Sequence, residues 1–221
     1  HVKEDIDTSV VDKAISQISF ATGGEDADVE VIFEVESSKG TISVDLDEAA
    51  IDKIVDSGAE VTISNGDVSI TFSENVLNLI EGKDKDASLE ISHADEEDMT
   101  DKQKDVVGDH VAFEINLTVG DERIHKLGGH VEVSLPFTPE EGMNHKNIKA
   151  IHVDDEGKKT KKDSKYESSR KAVIMTTDHF SVFMIDEVEP SSSGNTPLLI
   201  AGAVAVIIVV ALGIGVYFRR Q

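Results

Sequence analysis

The sequence predicts an α+β fold, mostly β: a pseudo-twofold β-α-β/β-α-β unit, followed by a small β-sandwich-like domain and a single C-terminal transmembrane helix. Three observations carry that prediction. Two segments of the first half repeat one order of strand, helix and strand, and each helix is closed by a glycine, Gly58 or Gly82. From Val111 to Ile185 short Val/Ile-rich runs alternate with polar residues, the pattern of half-buried strands. Residues 198–218 are 21 uncharged residues in a row, and at about 1.5 Å per residue such a helix spans a hydrocarbon core of about 30 Å.

Taken in order, Ile6, Val10, Val11, Ala14, Ile15 and Ile18 recur at helical spacing and predict an N-terminal amphipathic helix in residues 1–20. Residues 21–108 form the predicted α+β domain. Val29, Val31, Phe33 and Val35 recur at every second position, with Glu30 and Glu34 among the residues between them, and open it with a strand. In the first unit a strand at 41–46 leads to Asp47 as N-cap, apolar Ala50, Ile51, Ile54 and Val55, and a strand at 60–64. The second unit runs from a strand at 68–72 through Ser73 as N-cap, Val76, Leu77 and Ile80 to a strand at 88–92. Asn65-Gly66 between them suits a two-residue type I′ turn, which sets Ile63 against Val68 and Val61 against Ile70. Thr100 and Gln103 match a capping box for a short helix to about Val107.

Residues 109–188 are the predicted β-sandwich-like domain, with strands at 111–119, 130–137, 148–154, 160–167 and 171–185, the last broken near Asp178. Residues 189–196 are a flexible linker, 197–218 the transmembrane helix and 219–221 a cytoplasmic tail. Leu198 and Phe218 bound the membrane anchor, and Arg219 and Arg220 form its cytoplasmic stop. This orientation predicts a single-pass cell-membrane protein with an extracellular ectodomain and a cytoplasmic C-terminus. An ectodomain exported this way needs a signal upstream, so the chain is expected to be the C-terminal fragment of a longer secreted precursor.

Composition narrows the chemistry. Asp and Glu number 44 against 21 Lys and Arg, for a net charge of −23. Such a surface repels phosphate backbones, so no nucleic-acid partner is expected. Cysteine is absent, which excludes disulfides, thiolate zinc sites and a Cys nucleophile. With no Trp and two Tyr, the aromatic platforms of sugar-binding clefts are scarce.

Several constellations invite a sharper reading. Asp178, His179 and Ser181 supply hydrolase ingredients, but neighbours on a strand face opposite ways and no G-x-S-x-G elbow is present, so a structural turn with Phe180 and Phe183 in the core is expected. Asp5/Asp7, Asp26/Asp28, Asp45/Asp47, Asp84/Asp86 and the acidic run 95–98 could offer oxygens to Ca²⁺, yet none has EF-hand spacing. His125, His130, His145 and His152 could converge on a metal. Lys146, Lys149, Lys158, Lys159, Lys161, Lys162, Lys165, Arg170 and Lys171 crowd one stretch, either guarding strand edges or meeting an anionic surface. Asn116 heads an N-x-T sequon and is a possible glycosylation site. No catalytic, cofactor-binding or metal residues are assigned, and no cofactor.

The order MTDKQKDVVGD (99–109), VAFEINLTVGDERIHKLGGHVEVSLPFTPEEG (111–142), IKAIHVDDEGKKTKK (148–162) and VIMTTDHFSVFMI (173–185) resembles the module found beside S-layer homology repeats and in adhesin-like cell-surface proteins of Gram-positive bacteria and methanogenic archaea. The resemblance covers roughly residues 10–186. It implies an ectodomain spacer or presentation unit without catalytic residues. No S-layer homology repeats and no LPxTG-like sorting signal follow, so the transmembrane span takes the place of a cell-wall linkage, an arrangement natural to an archaeal or monoderm envelope. The expected function is a non-enzymatic, membrane-proximal stalk or anchor module that presents upstream domains outside the cell. Its expected partners are membrane lipid, through the C-terminal helix, and an extracellular protein or host-surface ligand, through the upstream domains. The alternatives are a ligand-binding or sensing ectodomain, or the membrane anchor of an exported enzyme.

Overall fold

Most strands of this chain turn alternate side chains into a core between two sheets that includes Phe33, Ile63, Leu89, Ile115, Leu127 and Phe183, and a second buried cluster gathers Met99, Val107, Ala112, Ile151, Val153, Val182 and Met184. The computed structural model describes residues 3–22, 29–189 and 206–211. The first half contains β1 (Glu4–Ile6), α1 (Thr8–Thr22), β2 (Val29–Glu34), β3 (Ile42–Leu46), α2 (Glu48–Ser57), β4 (Glu60–Ser64), β5 (Ser69–Phe72), α3 (Glu74–Glu81) and β6 (Ala87–His93). Then come α4 (Asp101–Val107), β7 (Ala112–Val119), β8 (Glu122–Arg123), β9 (Lys126–Pro136) and β10 (Ile148–Val153). The remaining strands are β11 (Lys159–Lys161), β12 (Asp163–Glu167), β13 (Ala172–His179), β14 (Val182–Glu187) and β15 (Val206–Ala211).

One sheet runs β1-β3-β6-β7-β14-β10-β11, with β8 paired to β7, and the other runs β12-β13-β9-β5-β4-β2-β15. This corrects the predicted succession of an α+β unit and a separate small sandwich. The strand–helix–strand units are each divided between sheets: β3 and β6 pair antiparallel in the first, β4 and β5 in the second. The second-half strands join the same sheets, β7 against β6 and β9 against β5. Alternation reveals which side of a strand is buried, but it does not name the strand alongside.

The transmembrane helix is corrected as well. Residues 206–211, the middle of the predicted span, form β15, which lies parallel to β2 in register from Val206 with Val29 to Ala211 with Glu34. Ile208 and Val210 face the core at 4% exposure each, whereas Ile207 is 52% exposed. A run of Val and Ile fits a strand as readily as a helix, and the open side of β2 supplies backbone partners for it. Among the described residues no helix is long and apolar enough to cross a membrane. Leu198, Phe218, Arg219 and Arg220 lie outside the described residues.

The β4–β5 hairpin also differs from expectation. Ser64 pairs with Ser69 and Ile63 with Ile70, a two-residue shift that keeps the apolar residues on one face. Asn65 explains the longer loop. Its Oδ1 accepts from the Asp67 and Val68 amides at 3.0 and 2.7 Å, and its Nδ2 donates to the Thr41 carbonyl at 2.6 Å, joining the hairpin to the start of β3.

Candidate functional site

Helix caps and strand ends bring aspartates together at one end of the first sheet. Asp5 on β1, Asp7 before α1, Asp45 on β3, Asp47 before α2, and Asp86 and Asp121 beside β6 and β7 line an open cleft of about 610 Å³. Asp7 caps α1, accepting from the Ser9 and Val10 amides at 2.8 and 3.0 Å, and the bond from the Ser9 side chain leads the causes that hold its carboxyl below the usual range. Asp47 makes no side-chain cap bond to α2. The α2 amide of Glu48 is instead met by Asp86 Oδ1 at 2.8 Å. Desolvation, then the charges of Asp86, Asp7, Asp5 and Asp45, push Asp47 upward.

The cleft thus gathers members of three predicted acidic pairs, while Asp26 and Asp28 lie outside the described residues and Asp95 lines a different cleft beside Glu36 and Glu90. Among the described residues no three or more His, Cys, Asp or Glu side chains are placed to hold one metal ion.

The lysine-rich stretch falls on the opposite edge of the first sheet and on the neighbouring edge of the second. Lys159 and Lys161 belong to β11, the outermost strand of one sheet, and Lys165 to β12, the outermost strand of the other. Charged side chains on such strands discourage edge-to-edge pairing. Lys162 is different, since its side chain is 13% exposed and lies 3.5 Å from Asp178.

Asp178 belongs to a compact group at the corner where β13 gives way to β14. Thr177 Oγ1 donates to the His179 carbonyl at 2.9 Å and helps fix the bend. Asp178 Oδ1 and His179 Nδ1 are 2.7 Å apart. His152, reaching in from β10, sets its ring 4.3 Å from that of His179 at 74°, and Phe183 packs 5.6 and 5.9 Å from the two rings. Phe180 and Phe183 are buried, as a structural corner requires. Of the histidines considered with His152, His145 packs edge-to-face on Tyr166 at 4.9 Å, and His125 lies beside the corner, its carbonyl accepting from the Phe180 amide at 3.0 Å. The partnership of His152 with His179 was not readable from sequence, because 27 residues and a change of sheet separate them; the Asp178-His179 dipeptide was the available signal.

Asn116 lies within β7, with Ile115 and Leu117 buried on the other side. Its Oδ1 accepts from Arg123 Nη2, which also pairs with buried Glu114 at 2.8 Å. The sequon side chain is therefore part of a polar group that neutralises Glu114. Comparison with protein-family models, curated proteins and solved structures found no match.

Proposed function

We propose that this chain is a non-enzymatic spacer module of an adhesin-like cell-surface protein, holding neighbouring segments of that protein outside the cell. The observation that carries this reading is the seating of its first and last described strands. β1 and β15 are outermost strands of different sheets, each bonded in parallel to an inner neighbour. A pull along either strand acts on its row of hydrogen bonds together, and resistance to such a pull is governed by the unfolding barrier. Net charge supports the same use, since a charge of −23 keeps adjacent copies solvated and apart in a crowded layer. The segments that resemble adhesin modules form α4, β7 to β11 and most of β13 and β14. In this reading an extracellular protein or host-surface ligand is met by the presented segments.

Protease treatment of intact cells, with mass spectrometry of what is released, tests the proposal. Peptides from residues 29–189 are expected in the released fraction. Their protection until the cells are lysed would overturn the surface placement.

A further inference from the structure

We infer that the β13–β14 corner is a two-histidine site for a borderline divalent transition ion of the Zn²⁺ class, with His152 and His179 as ligands and Asp178 as the carboxylate behind His179. An imidazole whose Nδ1–H is given to a carboxylate presents a lone pair at Nε2, which is the usual arrangement of a metal-binding histidine. His179 has that arrangement, with Nδ1 2.7 Å from Asp178 Oδ1. Its Nε2 is buried and has no hydrogen-bond partner. A polar atom left this way in a folded protein calls for an explanation, and an ion is one.

The second imidazole is already close. Two imidazoles on one tetrahedral ion, each about 2.1 Å from it, have ring centres about 5 Å apart. The rings of His152 and His179 are 4.3 Å apart, inclined at 74°, so a parting of the rings by about 1 Å admits the ion. They approach from β10 and β13, strands of different sheets, so an ion held between them would join the sheets at this corner. Phe183 supplies an apolar wall against both rings, which limits competing water on that side. The nearby cation, Lys162, is offset by Asp178 at 3.5 Å, and Asp154 and Asp155 follow directly on β10. With two protein ligands the remaining positions belong to water, so the hold is weaker than that of a closed four-ligand zinc site.

The test is a calorimetric titration of the full chain with Zn²⁺ at pH 7 in excess Mg²⁺, which occupies nonspecific carboxylates. One equivalent of Zn²⁺ is expected to bind and to raise the melting temperature. His152→Gln and His179→Gln are each expected to weaken binding at least tenfold, and Asp178→Asn about tenfold, the usual consequence of removing a carboxylate behind a ligand. Lys162→Gln is expected to strengthen it. Should His179→Gln fail to fold, the ¹⁵N imidazole spectrum of the unaltered protein still decides, because the His179 Nε2 and one His152 nitrogen must shift on adding Zn²⁺. Absence of binding, or binding that neither histidine substitution weakens, overturns the inference.

Discussion

Burial and charge set the protonation of the His152–His179 corner. Desolvation first, then His179 and Lys162, depress the His152 pKa to about 4. An unfolded chain takes up that proton near the ordinary histidine value of about 6.5, so the unfolded state binds more protons as pH falls from there toward 4, and stability declines across that window. Asp178 adds a loss at lower pH: the hydrogen bond from His179 leads the causes that hold it at about 2, and its stabilising contribution fades as pH drops from its ordinary value of 3.8 toward 2. Asp47 has the opposite sign, because its raised carboxyl pKa makes the folded state gain as pH falls through it. Thermal unfolding followed from pH 7 to pH 4 is expected to show a falling melting temperature that flattens in His152→Gln. Parallel curves for the two proteins would exclude His152 as the source. Residue identity made Asp178 and His179 conspicuous in the sequence, but nothing local to residue 152 announced its desolvation, which is imposed by strands brought in from elsewhere.

Among the elements, α4 was the most legible. Thr100 Oγ1 accepts from the Gln103 amide at 3.2 Å, Gln103 Oε1 accepts from the Thr100 amide at 2.9 Å, and both residues are fixed further, to the Asp155 and Val153 carbonyls. The turn after β10 comes close enough that a Cβ at Gly157, where φ is +76°, would lie 2.8 Å from the Lys102 carbonyl. Ser73, equally cap-like in sequence, makes no side-chain cap bond and leaves its buried hydroxyl without a partner. Thr100→Ala should therefore cost about 1 kcal/mol, while Ser73→Ala should leave the urea midpoint nearly unchanged; equal shifts would contradict the distinction. The C-terminal apolar run offers a sharper contrast. As strand β15, with Ile208 inward and Ile207 outward, the chain should lose stability in Ile208→Asp and tolerate Ile207→Asp. Similar losses from both would deny the strand. Period alone could not choose between helix and strand in an uninterrupted apolar run, since both periods are satisfied when every position is apolar.

At the scale of the molecule, the two sheets are built jointly by both halves of the chain, and this predicts shared folding. β9 lies between β5 and β13, and β7 lies between β6 and β14. A fragment of residues 109–188 removes β5 and β6 and exposes the apolar faces and backbone edges they cover, so it is expected to lack the dispersed amide spectrum of the complete chain. A well-dispersed fragment spectrum would show that the second half folds alone. The sequence by itself determined the β-rich character, the buried side of each alternating strand, the α4 capping box, the acidic surface and the absence of thiol chemistry. Each of these depends on residue type or on neighbours within a few positions. Only the tertiary structure decided the division of each strand–helix–strand unit between sheets, the two-residue shift at Asn65, the strand at 206–211, the capping of α2 by Asp86 and the meeting of His152 with His179. Those outcomes depend on competition among distant strands for the same backbone edges and the same core volume, and local spacing carries no record of which strand wins.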